Sequence, residues 1–260
     1  MELPTYKKSL GQHWLNDDAT LQAIVDAASV SGPDHVLEIG PGAGTLTTKL
    51  VTRAAMVTAV EFDSQLAARL PQRVPAKNLT VIHQDILKFD LTSLPPDYKV
   101  VANIPYYLTS NLIRTLSESS NQPAMAVLLI QKEVAERVAA GPGQMSLLSV
   151  TAQFYWEVSL GIAVPAHLFT PPPKVDSLVL ILKRRPSPLF DTDAKAYFRI
   201  VKAGFSNRRK TLHNSLSAGL HLGKPEITEL LDTAGIDGKL RPQNLTLEQW
   251  YELYKNVIKS

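Results

Sequence analysis

The 260-residue chain has no cysteine, which removes disulfides and thiolate-held metals together. No metal site is expected. The absence fits a reducing compartment, so the cytoplasm is the expected location. No uninterrupted apolar run approaches the roughly 20 residues that a membrane-crossing helix needs. Met1 to Leu10 carry Lys7 and Lys8 but no apolar core of a signal peptide. Neither export nor membrane insertion is expected. There is also no internal repeat and no low-complexity tract. What remains is 45% apolar and 20% charged, an ordinary globular composition.

Excess charge is scarce as well, with a net of only +3, but it is unevenly placed. Between Lys183 and His213 stand nine Lys/Arg against Asp191 and Asp193, while the flanking stretches are slightly acidic. Such a stripe suits a polyanionic partner, and it equally suits a solvated helical face.

From Val36 to Lys183, short apolar runs alternate with amphipathic stretches. Val36–Ile39, Met56–Val60, Thr80–Ile82, Val100–Ala102 and Ala126–Ile130 read as buried strands with helical spacing between them. That order implies a parallel sheet with helices on both faces. Glu157–Val164 and Ser177–Leu182 read as two more strands. The Pro-rich loop joining them is too short for a crossover helix, so an antiparallel edge pair is expected. Pro186 and Pro188 then stop any continuing element. Beyond them the pattern is helical: Asp191 or Asp193 can cap a helix through about Phe205, and Leu-rich stretches follow at 212–222, 226–234 and 246–258. The expectation is a Rossmann-like α/β methyltransferase domain over residues 1–185 and a small all-helical domain over 186–260.

The first strand runs into Gly40-Pro41-Gly42-Ala43-Gly44, where missing side chains let backbone approach a ligand. Glu61 ends the second strand, placed to accept from ribose hydroxyls. These features alone also suit a nicotinamide dinucleotide. Two others favour a nucleoside without phosphates: the turn lacks the dinucleotide fingerprint's third glycine position, and Asp85 ends the third strand, where it can accept from an adenine amino group.

The fourth strand runs into Asn103-Ile104-Pro105-Tyr106. An adenine amino nitrogen is a poor nucleophile because its lone pair is delocalised into the ring. The Asn103 side-chain oxygen and the Ile104 carbonyl can accept its two hydrogens, which favours a pyramidal nitrogen. Pro105 stiffens the loop, and Tyr106 can stack on a base turned out of its helix.

Taken together, Leu10-Gly11-Gln12-His13-Trp14-Leu15-Asn16-Asp17, the Glu38–Thr45 turn, Gln84-Asp85, Asn103–Tyr106, Gln131–Val134 and Phe169–Ser177 closely resemble the ribosomal RNA adenine dimethyltransferases, the KsgA group together with the Erm resistance enzymes. The resemblance implies S-adenosyl-L-methionine as cofactor, contacted by His13, Leu15, Gly40, Gly42, Glu61, Asp85 and Asn103. It implies that Tyr106 and Phe169 sandwich the target adenine, with Phe169 as an aromatic at the rim of the base pocket. The sequence departs from the usual Gln-Asn-Phe-Leu at Gln12-His13-Trp14-Leu15. The implied substrate is two adjacent adenines in a hairpin loop near the 3′ end of small-subunit ribosomal RNA, presented on a pre-assembled subunit, each receiving two methyl groups. The implied enzyme acts as a monomer.

Lys195, Arg199 and Lys202 recur at i, i+4 and i+7 on one helical face, and Arg208, Arg209 and Lys210 follow. They can hold phosphates, which positions RNA without reading its sequence. An Erm-like enzyme of large-subunit RNA and a non-catalytic assembly factor of the small subunit remain as alternatives.

Overall fold

The computed structural model describes residues 11–207 and 209–259. Strand β1 (Trp14–Leu15) leads into helix α1 (Asp18–Ala27), whose first turn is capped by Asp17 accepting from the Thr20 amide at 2.8 Å. The chain then alternates: β2 (His35–Ile39), α2 (Thr45–Leu50), β3 (Met56–Glu61), α3 (Ser64–Arg73), β4 (Leu79–His83), β5 (Lys99–Asn103), α4 (Thr109–Glu118), β6 (Met125–Gln131), α5 (Lys132–Val138), α6 (Leu147–Tyr155), β7 (Trp156–Val164), β8 (Phe169–Thr170) and β9 (Ser177–Arg184).

The main sheet has the order β4-β3-β2-β5-β6-β9-β7. The pairs among β4, β3, β2, β5 and β6 are all parallel, and β9 runs antiparallel to β6 from Met125↔Lys183 to Gln131↔Ser177. The central strands are buried along nearly their whole length, as parallel strands covered on both faces must be. Val36, Val57, Val101 and Val127 pack with Ile24 and Val25 of α1 in one core cluster. The expected strands are present, and β7 and β9 are neighbours at the sheet's end.

A second sheet consists of only two residue pairs, Trp14↔Thr170 and Leu15↔Phe169. It ties the N-terminal segment to the strand after the β7 turn, and nothing in the residue pattern announces it.

The remaining helices are α7 (Ala194–Phe205), α8 (Leu212–Leu220), α9 (Lys224–Thr233) and α10 (Leu247–Lys259). Asp193 caps α7, accepting from the Lys195 amide at 2.9 Å, which decides between the two candidate caps. By internal contacts the chain divides into one unit of residues 1–135 and 157–184 and another of 136–156 and 185–260. This corrects the expected extent of the first domain. Residues 136–156 belong with the helices because Val150 and Phe154 of α6 are buried in their core, where the Phe154 ring stacks on Tyr197 at 5.0 Å. No helix among the described residues is long and apolar enough to cross a membrane.

Candidate active site

A cavity of about 260 Å³ lies at the carboxyl ends of β2, β3, β4 and β5, where open α/β sheets bind their ligands. The structure brings to its wall every cofactor residue anticipated from the sequence: His13 and Leu15, Gly40 and Gly42, Glu61, Asp85 and Asn103. Pro105, Tyr106 and Phe169 line it too.

The glycine turn has φ values of +65°, +54° and +83° at Gly40, Gly42 and Gly44. At Gly40 a Cβ would meet nothing within 4 Å, so open space adjoins the backbone there. At Gly42 a Cβ would fall 2.3 Å from the Trp14 ring, so glycine is required twice, by sterics and by the left-handed backbone. The turn is held from behind. One Glu61 carboxylate oxygen accepts from the Gly42 amide at 3.0 Å and the other from the Asp63 amide at 2.8 Å. Burial raises the Glu61 pKa, and these amide donors oppose it. Each oxygen keeps a further lone pair for a hydroxyl. Asp85 accepts from the Leu87 amide at 3.0 Å through one oxygen and is only half-buried.

The sequence points to Glu38 only as part of the turn. It is 1% exposed, lines the cavity, and neither carboxylate oxygen has a hydrogen-bond partner. Burial pushes its pKa up to about 8, with the Thr47 hydroxyl offsetting part of this without reaching bonding geometry, and the nearby Glu61 charge adding to it. Among the described residues the cavity wall thus holds three carboxyl groups and no Lys or Arg. That charge pattern suits a sulfonium nucleoside and disfavours a pyrophosphate. The orphaned carboxyl and the bare glycine backbone both fit S-adenosyl-L-methionine.

Asn103 closes β5 in register with Leu129. Its side-chain NH2 donates to the His13 carbonyl at 3.2 Å. This fixes the amide's orientation and leaves its oxygen as an available acceptor. The His13 ring donates through Nδ1 to the Pro171 carbonyl at 2.7 Å, which fixes the orientation of the ring. It also stacks on Tyr106, with centroids 6.1 Å apart. The Tyr106 hydroxyl shares a 2.9 Å hydrogen bond with Ser177, and burial raises its pKa. One face of Tyr106 is therefore backed by His13. Phe169 is 3% exposed and sits in the core cluster with Leu15, so it forms the cavity's inner wall and not an exposed rim.

Sequence reasoning misses Phe62, 58% exposed, and Tyr107, both at this cavity. The position of Phe62, directly after Glu61, is the available signal. Among the described residues no group of three or more His, Cys, Asp or Glu could hold a metal ion.

Lys195, Arg199 and Lys202 are exposed on α7, whose other face buries Tyr197, Ile200 and Val201. Arg209 and Lys210 are exposed, and Arg208 lies outside the described residues.

A family model described as ribosomal RNA adenine dimethylase matches residues 4–259. The chain is 40% identical over 252 residues to ribosomal RNA small subunit methyltransferase A of Dehalococcoides mccartyi (strain CBDB1), covering 95% of this chain and 87% of that protein. It is 40% identical over 269 residues to the protein of the same name in Bacillus mycoides (strain KBAB4), covering 98% and 92%. Among solved structures, a dimethyladenosine transferase from Plasmodium falciparum superposes with a TM-score of 0.82 at 29% identity, covering 95% of this chain and 98% of that one. The 23S rRNA methyltransferase ErmE gives 0.75 at 30% identity, covering 94% and 99%.

Proposed function

Because the chain belongs to the ribosomal RNA adenine dimethylase family, we propose that its cavity receives one adenine of small-subunit ribosomal RNA and that Asn103 prepares the amino group for methylation. The enzyme is an S-adenosylmethionine-dependent adenine dimethyltransferase of the small-subunit, KsgA type. Its targets are two adjacent adenines in a hairpin loop near the 3′ end of 16S ribosomal RNA, which take four methyl groups in all. It acts as a cytoplasmic monomer on pre-assembled small subunits.

The observation that carries the chemical reading is the anchored amide of Asn103, whose oxygen is left as an acceptor at the cavity wall. The cofactor supplies a methyl group on a sulfonium, which leaves as a neutral thioether and needs no acid. Asn103 Oδ1 and the Ile104 carbonyl accept the two amino hydrogens and favour a pyramidal nitrogen whose lone pair is withdrawn from conjugation with the ring. The nitrogen so presented would take that methyl group, and its surplus proton would pass to water. Tyr106, backed by His13, offers its other face to the base, and Phe169 closes the pocket from within. Positioning supplies most of the rate.

Purified small and large subunits test the substrate. Methyl transfer into the small subunit alone, with dimethyladenosine at two neighbouring positions, is the expected result. Transfer into the large subunit would favour the Erm-like alternative, and binding without transfer would favour a pure assembly factor.

The basic residues hold the RNA backbone in this reading. Replacing Lys195, Arg199 and Lys202 together with Gln should weaken binding to small subunits. It should also flatten the plot of log affinity against log salt by about 0.9 for each phosphate that is no longer neutralised. The melting temperature should not change, since all three side chains are exposed. An unchanged slope would make the stripe a solvated face.

A further inference from the structure

Two tyrosines stand side by side in the turn Tyr106–Leu108, and they are held in opposite ways. Tyr106 is fixed at both ends, its hydroxyl by Ser177 and its ring by His13. Tyr107 is 66% exposed, the most exposed of the large apolar and aromatic side chains among the described residues. Among those residues its hydroxyl has no hydrogen-bond partner and its ring no aromatic neighbour. Yet it is not a stray surface group, because it lines the same cavity as Asn103 and Tyr106. Its ring also lies along Gly11, where a Cβ would come within 3.9 Å of Cδ1 and Cε1. The ring is therefore supported along one side and otherwise open, at the mouth of the pocket.

When a base leaves its stack, the nucleotide beside it loses a stacking partner. An aromatic face can restore that contact for any base, because every base presents a π surface. A protein that draws one adenine into a cavity gains by holding the next nucleotide at the entrance. Tyr107 is one residue beyond the tyrosine assigned to the target base, and its free ring meets that requirement.

We propose that Tyr107 is a positioning residue that stacks on the nucleotide adjoining the target adenine. This rests on the adenine reading given above. In a substrate with two adjacent targets, the adjoining nucleotide is the second adenine, held outside while the first is methylated. Tyr107 then keeps the strand in place between the two modifications.

The test compares Tyr107→Phe, Tyr107→Trp, Tyr107→Leu and Tyr107→Ala in steady-state methylation of assembled small subunits, with cofactor affinity measured by calorimetry. The Leu and Ala variants should raise KM for the subunit about 5–100-fold. Their kcat should stay within about twofold of the parent, and cofactor Kd should not move. The Phe and Trp variants should stay near the parent, because only a planar ring is needed. Because the side chain is exposed, all four variants should fold, and equal melting temperatures check that. A Leu variant as good as Phe would reduce the role to apolar cover and overturn the proposal. A cofactor Kd that weakens in step with KM would place Tyr107 in the cofactor wall, and an unmoved KM in every variant would remove the role altogether. Failure of the adenine reading would show differently, as parent protein inert on small subunits, and would overturn this proposal with it.

Discussion

Asn103→Ala is expected to lower kcat by about 10²–10³-fold, the usual loss when one preorganised hydrogen-bonding group is removed from a water-poor site. Cofactor Kd should change no more than a few-fold. The asymmetry follows from how the residue is held. Its NH2 donates to the His13 carbonyl, which orients the amide, and its oxygen is left to accept from a substrate. The other residues proposed to hold the cofactor, at the glycine turn, Glu61 and Asp85, stay in place when the side chain is cut back. The backbone of β5 is paired on both sides, so the loop keeps its origin. Asn103→Asp separates anchoring from accepting, because a carboxylate still accepts but cannot donate to His13. It should fall between the parent and the alanine variant. Single-turnover methylation and calorimetry on the same preparations measure both quantities, and equal losses in rate and binding would remove the acceptor role.

The sheet was legible because its strands are nearly pure apolar runs. A parallel strand buried on both faces has little freedom to be anything else, and Val100–Ala102 or Ala126–Ile130 announce themselves. The cap of α7 was legible to within two residues, since both Asp191 and Asp193 have the right chemistry and only geometry selects the second. The β1–β8 pair was not legible. Two residues carry no periodicity, and their pairing joins segments some 150 positions apart. Residues 136–156 were misplaced for a related reason. Their apolar positions mark them as buried but do not say which core buries them, and three of the rings around Phe154, those of Phe190, Tyr197 and Phe198, come from after residue 189.

In the site, residues at strand ends were legible, since topology delivers them to one edge of the sheet. Gly40, Glu61, Asp85 and Asn103 all arrive that way. Residues whose role depends on a partner elsewhere were not. Trp14 matters to the glycine turn because its ring fills the space above Gly42. His13 lines the cavity as expected, but its sequence position does not show that its carbonyl anchors Asn103 or that its Nδ1 bonds to Pro171. Phe169 was expected at a rim, but pairing with Leu15 draws it into the core.

Glu38 should make cofactor binding depend on pH, and Glu38→Gln should abolish that part of the dependence. The carboxyl has a pKa of about 8 because burial penalises its charge and no donor bonds to it. It is therefore mostly protonated at neutral pH in the free protein. A cationic sulfonium ligand in the same cavity favours the ionised form, so binding expels the proton. If the ionised form alone binds, affinity rises up to about tenfold per pH unit below 8 and levels above it. The ligand's own α-amino group titrates nearby, and burial also raises the Glu61 pKa, so the reference is the Gln variant, which keeps both groups. Calorimetry at pH 7 in buffers of different ionisation enthalpy should show the parent releasing close to one proton more than the variant. Stability carries the same signature with the opposite benefit. A carboxyl whose folded pKa is raised stabilises most below about 4.5 and loses that contribution as pH rises through about 8. The ligand-free parent should therefore lose a few kcal/mol relative to Glu38→Gln between pH 6 and 9, read as diverging melting temperatures. Parallel curves for the two proteins, in binding and in melting, would mean that Glu38 is ionised throughout and that its isolation in the cavity wall has no electrostatic consequence.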